Sequence, residues 1–114
     1  MRLLVCGSRS FTDFDFLAKK LDKLTAKLDK KKLLVIHGGA KGADNLVERW
    51  CFLRRVTQNI YHDQNKNEPI QDAMIGAMRG KGWIIAFIDK ALPEINLLLR
   101  KSKKAGLKEK VYHT

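Results

Sequence analysis

Apolar residues along the chain alternate between short runs and helically spaced stripes. Three runs, at residues 2–6, 33–37 and 83–88, have the length and composition of strands buried on both faces. A more polar run at 56–61 predicts an edge strand, and residues 110–113 predict a fifth strand that closes the sheet. The chain therefore contains five candidate strands.

Between these runs, apolar residues recur every three or four positions, which is typical of helices that bury one side. Thr12 and Asp15 predict a capping box at the start of the first helix. Pro69 and Pro93 suit first turns, and the segment 80–82 and Gly106 end the third and fourth helices. The predicted inward-facing residues are Phe14, Leu17, Leu21, Leu24 and Leu28, then Ala43, Leu46, Val47, Trp50 and Leu53, then Ile70, Met74 and Met78, and finally Ile95, Leu98, Leu99 and Ala105.

The alternation of strands and helices predicts a three-layer α/β domain with a mostly parallel five-stranded sheet. Because crossover connections are right-handed, the expected arrangement is Rossmann-like and doubly wound, with strand order 3-2-1-4-5. A chain of 114 residues has the length of one domain, so residues 1–114 are expected to form a single unit.

In such a sheet, ligands bind beyond the carboxyl ends of the strands, where the strand order reverses. The loops at 7–13, 37–44 and 88–94 should meet there, and the first two are rich in glycine. Glycine lets backbone N–H groups approach a phosphate, and a following helix N-terminus adds further donors. The spacing is neither a Walker A loop nor a GxGxxG fingerprint.

Side chains in these loops suit an anionic or sugar-containing ligand. Ser8 can donate through its hydroxyl, Arg9 can bind a phosphate through two N–H groups, and Lys41 adds a point charge. Asp44 can accept from a sugar hydroxyl or cap the second helix. An alternative interpretation is purely structural: the glycines permit tight turns and Asp44 only caps. For His37, contact with a ligand and a hydrogen-bonded role at the rim are equally open.

Charge is the unusual feature of the composition. The 23 Lys and Arg residues outnumber the 12 Asp and Glu residues, which gives a net charge of +11 and favours an anionic partner. A solubilising lysine coat would give the same total. The lysine-rich segments at 19–32 and 100–110 belong to helices expected on opposite faces of the sheet, so we expect the charge to be spread over two surfaces. A single nucleic-acid groove prefers its charge on one face.

The remaining composition indicates an intracellular, cytoplasmic protein. There is no secretory signal or membrane-length apolar run, and Cys6 and Cys51 suggest buried free thiols. A nucleophilic role for Cys6 is the alternative to packing. His62 and Asp63 lack a third ligand at suitable spacing, so no metal and no cofactor are predicted.

The sequence resembles a known family over residues 3–50. "VCGSRSFTDFDFLAKKLDKL" and "VIHGGAKGADNLVERW" are similar to the YspA-like branch of the SLOG superfamily, a Rossmann-like group that also contains DprA and the LOG phosphoribohydrolases. The resemblance implies a nucleotide-derived ligand, of the kind used as signals in bacterial and phage conflict systems. The matching residues are Gly7, Ser8, Arg9, Phe11, Asp13, His37, Gly38, Gly39, Ala40, Gly42, Ala43, Asp44 and Trp50.

The second half departs from the family pattern. Gln71 and Asp72 stand where Arg and Asn are usual, and the loop 88–94 lacks the P-G-G-x-G-T sequence that holds a phosphate in many superfamily members. LOG enzymes use a Glu in that loop and an Arg on the preceding helix, which implies Glu94 and Arg79 as candidate catalytic residues here. The expected ligand-binding residues are Gly7, Ser8, Arg9, Phe11, His37, Gly38, Gly39, Ala40, Lys41, Gly42 and Asp44.

Three functions follow from this interpretation. The first is a sensor or sequestering module for a nucleotide-derived small molecule, leaning away from catalysis. The second is a LOG-type nucleoside 5′-monophosphate glycosidase, and the third is a DprA-like nucleic-acid-binding protein. Related folds commonly pair through their helices, so a homodimer or higher homo-oligomer is expected, and no membrane partner.

Overall fold

A five-stranded sheet with helices on both faces organises the chain. The computed structural model describes residues 1–39, 42–61, 70–90 and 92–114. In chain order the elements are β1 (Arg2–Gly7), α1 (Phe14–Leu24), a short 3₁₀ helix (Lys30–Lys32), β2 (Leu34–His37), α2 (Ala43–Arg54), β3 (Thr57–Ile60), α3 (Ile70–Ala77), β4 (Trp83–Ile88), α4 (Pro93–Lys104) and β5 (Lys108–His113).

The strand order is β3-β2-β1-β4-β5, as the sequence predicts. All four strand pairings are parallel, so the sheet is fully rather than mostly parallel. The chain moves outward from β1 through β2 to β3, then crosses to β4 and β5 on the other side. The order therefore reverses between β1 and β4, and the crevice for a ligand is expected beyond their carboxyl ends.

Two apolar cores lie on the two faces of the sheet because successive side chains of a strand point to opposite faces. Leu3 and Val5 of β1 pack with α1 and α2, whereas Leu4 and Cys6 pack with α3 and α4. The first and last helices thus lie on opposite faces, which confirms the predicted arrangement of layers.

Three local predictions are wrong. The first helix ends at Leu24, so Leu28 follows it in a turn, although it still packs against the same core. The side chain that caps α1 belongs to Asp13, whose carboxylate accepts from the Phe16 N–H at 3.0 Å, so Thr12 and Asp15 do not form the predicted capping box. On α2, Leu53 is 50% exposed and Cys51 is fully buried in its place. The helix begins at Ala43, and its rotation turns Val47, Trp50 and Cys51 inward.

Other helix ends agree with the sequence. Pro93 opens α4, and Gly106 follows its end with a φ of 88°. The predicted polar loop at 62–68 and the first-turn role of Pro69 lie outside the described residues. Within the described chain, no helix combines the length and apolar character needed to cross a membrane.

Candidate ligand-binding site

A cavity of about 370 Å³ opens at the carboxyl edge of the sheet, where the strand order reverses. Its size falls within the range of small-molecule pockets, about 300–1,000 Å³. Both glycine loops contribute to it, together with the first turns of α3 and α4. Its described lining consists of Val5, Cys6, Gly7, Arg9, Gly38, Asp44, Ile70, Gln71, Met74, Leu92, Glu94, Ile95 and Leu98.

The two glycine loops are in direct contact. Gly42 has a φ of 82°, and a Cβ atom there would lie 2.7 Å from the Cα of Arg9 and even closer to the Ser8 carbonyl oxygen. A Cβ at Gly7 would lie 2.5 Å from the Cβ of Ala43. Both glycines are therefore required for close approach, and Gly42 also for its left-handed backbone conformation.

Ser8 connects the loop after β1 to the loop after β4. Its hydroxyl donates to the Lys90 carbonyl oxygen at 2.8 Å and accepts from the N–H groups of Asp89 and Lys90, each at 3.2 Å. Ser8 is fully buried, and its hydroxyl proton is used within the protein. This arrangement gives Ser8 a positioning role, in contrast to the direct donation to a ligand that the sequence suggested.

His37 holds the turn that follows β2. Its Nδ1 accepts from the Gly39 N–H at 3.1 Å, so the ring proton is on Nε2, which lies 2.8 Å from Oε1 of Gln58. The ring is fully buried. Of the two roles left open by the sequence, this geometry matches the hydrogen-bonded one, since both ring nitrogens have protein partners.

The described wall of the cavity combines charge with an apolar surface. Arg9 provides a cation, and Asp44 and Glu94 lie in the first turns of α2 and α4. An anion and hydroxyl groups could be bound at this side by the guanidinium, the carboxylates and loop N–H groups. The apolar part of the lining, formed by Ile70, Met74, Leu92, Ile95 and Leu98, can pack against an apolar or aromatic group.

Cys6 lies in the wall of the cavity but is not activated as a nucleophile. Burial raises the pKa of its thiol well above the ordinary value, and the negative charge of Asp44 raises it further. The thiolate is the reactive form. Cys6 and Cys51 are both buried free thiols, as predicted, and burial raises the pKa of Cys51 to about 12, with a further contribution from Glu48.

Some predicted site residues lie elsewhere. Phe11 is only 2% exposed and packs in the core, with its ring centroid 5.6 Å from that of Phe87. Gly39 has a φ of 68° and supports the turn after β2. Ala40 and Lys41 lie outside the described residues, as do His62 and Asp63. The part of the chain that the structure describes contains no group of three or more His, Cys, Asp or Glu side chains arranged for a metal ion.

The structure does not bring Arg79 and Glu94 together. Glu94 lines the cavity at the carboxyl edge, whereas Arg79 precedes the start of β4 and lines a different cavity at the amino edge. The six residues of β4 separate the two edges by about 20 Å. This pair therefore cannot act on one glycosidic bond in the described arrangement.

Sequence reasoning placed Glu94 at this edge but missed the contribution of α3 and of the apolar residues of α4 to the cavity. Gln71 was noted only as a departure from a motif, and Leu92 was not singled out. A signal did exist, because the first turns of helices that follow parallel strands lie at the same edge as the loops. The Gln71 side chain also donates to the Glu94 carbonyl oxygen at 3.0 Å, which joins these two helices beside the cavity.

Comparison with known proteins places these loops in a family. A family model described as "YspA, cpYpsA-related SLOG family" matches residues 1–64, more than half of the chain. The chain belongs to this SLOG family. The matched range includes both glycine loops and ends before α3 and α4, which complete the cavity in this SLOG protein.

Among curated proteins, the Gene 61 protein of Mycobacterium phage D29 is 38% identical over 55 residues. The match covers 45% of this chain and 40% of the phage protein, so this SLOG chain matches well under half of its relative's length. No solved structure matches the chain significantly.

Proposed function

We propose that the chain binds a nucleotide-derived small molecule in the carboxyl-edge cavity and acts as a sensor or sequestering module. The single observation that carries the proposal is that Gly7, Arg9, Gly38 and Asp44, from the two family motifs, line one cavity. Membership of the SLOG family supports a nucleotide-related ligand.

The cavity favours a ligand with three chemical parts. Arg9 and the N-terminus of α2 suit a phosphate, because a guanidinium and free helix N–H groups both bind anions. Asp44 and Glu94 suit hydroxyl groups such as those of ribose. The apolar wall that contains Met74 and Leu98 suits the face of a base.

Binding can be tested by calorimetry against mononucleotides, cyclic dinucleotides and ADP-ribose derivatives. We expect one of these classes to bind the unmodified chain, and Arg9→Gln to weaken it about tenfold or more, as is usual for loss of a charge-assisted contact. Arg100→Gln is the matched control, since Arg100 is exposed on α4 and does not line the cavity. Equal affinity in both variants, or no binding across the panel, would contradict the proposal.

The glycosidase interpretation can be examined in the same samples. Chromatography of each nucleotide after incubation would detect a released base. Since Arg79 and Glu94 lie at opposite edges, we expect the ligand to be recovered intact. Release of base that Glu94→Gln abolishes would replace the binding proposal with an enzymatic one.

A further inference from the structure

A second cavity, of about 680 Å³, lies at the amino edge of the sheet, opposite the proposed ligand site. Four cationic side chains line it and form what we call the amino-edge patch: Arg2, Arg79, Lys81 and Lys108. Among the described residues that line this cavity none is acidic. The ion pairs of the described residues, Arg54–Asp22 and Lys101–Asp72, include none of these four.

The fold brings the patch together from distant parts of the sequence. Arg2 begins β1 and Lys108 begins β5, and β4 begins between them at Trp83, which is in register with both Leu3 and Lys108. Arg79 and Lys81 occupy the turn between α3 and β4. A Cβ at Gly82 would lie within 3.1 Å of the Met78 Cε and still closer to the Arg2 carbonyl oxygen, so this turn sits directly on β1.

The same edge collects further positive charge. The described α-helices run back from the carboxyl edge to the amino edge, so Lys23 in the last turn of α1 and Lys103 and Lys104 in the last turn of α4 lie toward the amino edge. The Met1 amine donates to the Lys32 carbonyl oxygen at 3.3 Å, which places the 3₁₀ helix Lys30–Lys32 beside the start of β1. The expectation that charge is spread over two faces is therefore incomplete, since the basic ends of both layers meet at one edge.

Helix energetics account for part of this pattern only. Cations in a last turn stabilise a helix through its dipole. Lys81 and Lys108, however, lie in a turn and a strand, beyond any helix. Trp83 packs with part of its side chain against the core on the α1 and α2 face and is partly exposed, and the Lys108 ammonium lies 5.7 Å from its ring centroid. Cations around a partly exposed aromatic ring are the combination that binds unpaired nucleotides, through phosphate contacts and base stacking.

We propose that the amino-edge patch, with Trp83, binds single-stranded nucleic acid, independently of the small-molecule cavity. The concave shape favours a polynucleotide strand over an anionic membrane, which is bound by surfaces that insert apolar side chains. Arg2 holds its position through a hydrogen bond from Nη1 to the Ala77 carbonyl oxygen at 2.8 Å, and this neutral acceptor leaves the guanidinium charge available.

The test uses fluorescence anisotropy with a labelled oligothymidylate of about 15 nucleotides. Arg79→Gln/Lys81→Gln/Lys108→Gln removes three patch cations. Lys19→Gln/Arg49→Gln/Arg100→Gln removes three exposed cations elsewhere, so both variants change the net charge from +11 to +8, by 11 − 3. We expect the patch variant to bind about tenfold or more weakly and the dependence of log affinity on log salt to fall by about 2. The matched variant should lose less than about threefold.

Tryptophan emission gives a second readout. Trp50 is fully buried and provides a constant background, so quenching by the oligonucleotide reports Trp83. We expect Trp83→Leu to abolish the quenching and weaken binding about tenfold. Equal losses in the two triple variants, absence of quenching, or no binding by the unmodified chain would overturn the proposal.

Two competition experiments separate this site from other sources of binding. Excess mononucleotide should not displace the oligonucleotide. Displacement would show that the strand binds in the carboxyl-edge cavity and would overturn the proposal. The proposal would also be overturned if the protein cosedimented with phosphatidylserine vesicles under conditions where it does not bind the oligonucleotide. That result would identify an anionic membrane as the partner.

Discussion

Gly42 lies against the main chain of Arg9, so that a Cβ atom at position 42 would come within 2.7 Å of the Arg9 Cα. This contact joins the loop after β1 to the loop after β2. Ala43 adds to the junction by donating its N–H to the Ser8 carbonyl oxygen at 3.4 Å. The position of Arg9 at the cavity therefore depends on a residue 33 positions later in the chain.

Gly42→Ala should be strongly destabilising. The new methyl group would meet backbone atoms that cannot rotate away, and alanine disfavours the φ of 82° found there. We expect a loss of about 2–3 kcal/mol in the free energy of unfolding, measured by urea denaturation.

Gly76→Ala provides the matched control. Gly76 lies inside α3, and a Cβ there would have no atom within 4 Å. Alanine should therefore stabilise the protein by about 0.5–1 kcal/mol. Equal changes in the free energy of unfolding for the two substitutions would show that the loops are not in such close contact.

Ser8→Ala should loosen the loop after β4. The substitution removes the acceptor of the Asp89 and Lys90 N–H groups and the donor to the Lys90 carbonyl oxygen. We expect a loss of about 1–3 kcal/mol and faster hydrogen exchange at these two amides. Ser10→Ala is the control, because the exposed Ser10 hydroxyl donates to the Asp89 carboxylate and to neither main-chain amide. Unchanged exchange in Ser8→Ala would show that the loop is held by other contacts.

The imidazole of His37 should carry its proton on Nε2. Heteronuclear NMR should give an unprotonated Nδ1, since that nitrogen accepts from the Gly39 N–H. His37→Phe should cost about 1–3 kcal/mol because it leaves Gln58 and the Gly39 N–H without their partner. His113→Phe, at an exposed position of β5, should change stability by less than about 0.5 kcal/mol. A proton on Nδ1 would contradict the geometry of the turn.

Asp22 should make stability depend on pH in the acidic range. Hydrogen bonds from Arg54 lower the pKa of Asp22, and a bond from the Trp50 indole N–H at 3.0 Å lowers it further. A carboxylate with a lowered folded pKa stabilises the protein above its unfolded pKa, near 3.8, and this contribution disappears as pH falls through the folded value. Urea denaturation at a series of pH values between about 5 and 2.5 should show this loss.

Two substitutions at Asp22 separate the charge from the hydrogen bond. Asp22→Asn keeps an acceptor for Trp50 and should cost about 0.5–1 kcal/mol near neutral pH, as for a partly exposed ion pair. Asp22→Ala leaves the buried indole N–H unsatisfied and should cost about 1–3 kcal/mol. Both should flatten the acidic pH dependence. An unchanged slope would assign that dependence to other carboxylates.

The architecture was predictable because its signals are local and repeated. Uninterrupted apolar runs such as 83–88 mark strands covered on both sides, and right-handed crossovers leave few topologies. Errors arose where rotation about a helix axis decides burial. Leu53 and Cys51 differ by two positions on α2, and the packing of Val47 and Trp50 against the sheet selects Cys51.

The candidate site was predictable in location and only partly in residue roles. Glycines after β1 and β2 mark the edge where loops meet, but a sequence does not reveal that Ser8 uses its hydroxyl on Lys90. Arg79 was assigned by motif position, and the length of β4 separates it from Glu94. The amino-edge patch was missed because clusters of lysines were assigned to helix faces, although helix ends determine where charges from different layers meet.

The outer strand β5 has a consequence for assembly. It pairs with β4 along one side only, and Lys108 and Lys110 lie on this open border. A second copy pairing with this strand would bring the ammonium groups of both molecules close together. Such repulsion commonly prevents edge-to-edge aggregation of β-sheets. Symmetric pairing of two copies through the border of β5 is therefore disfavoured.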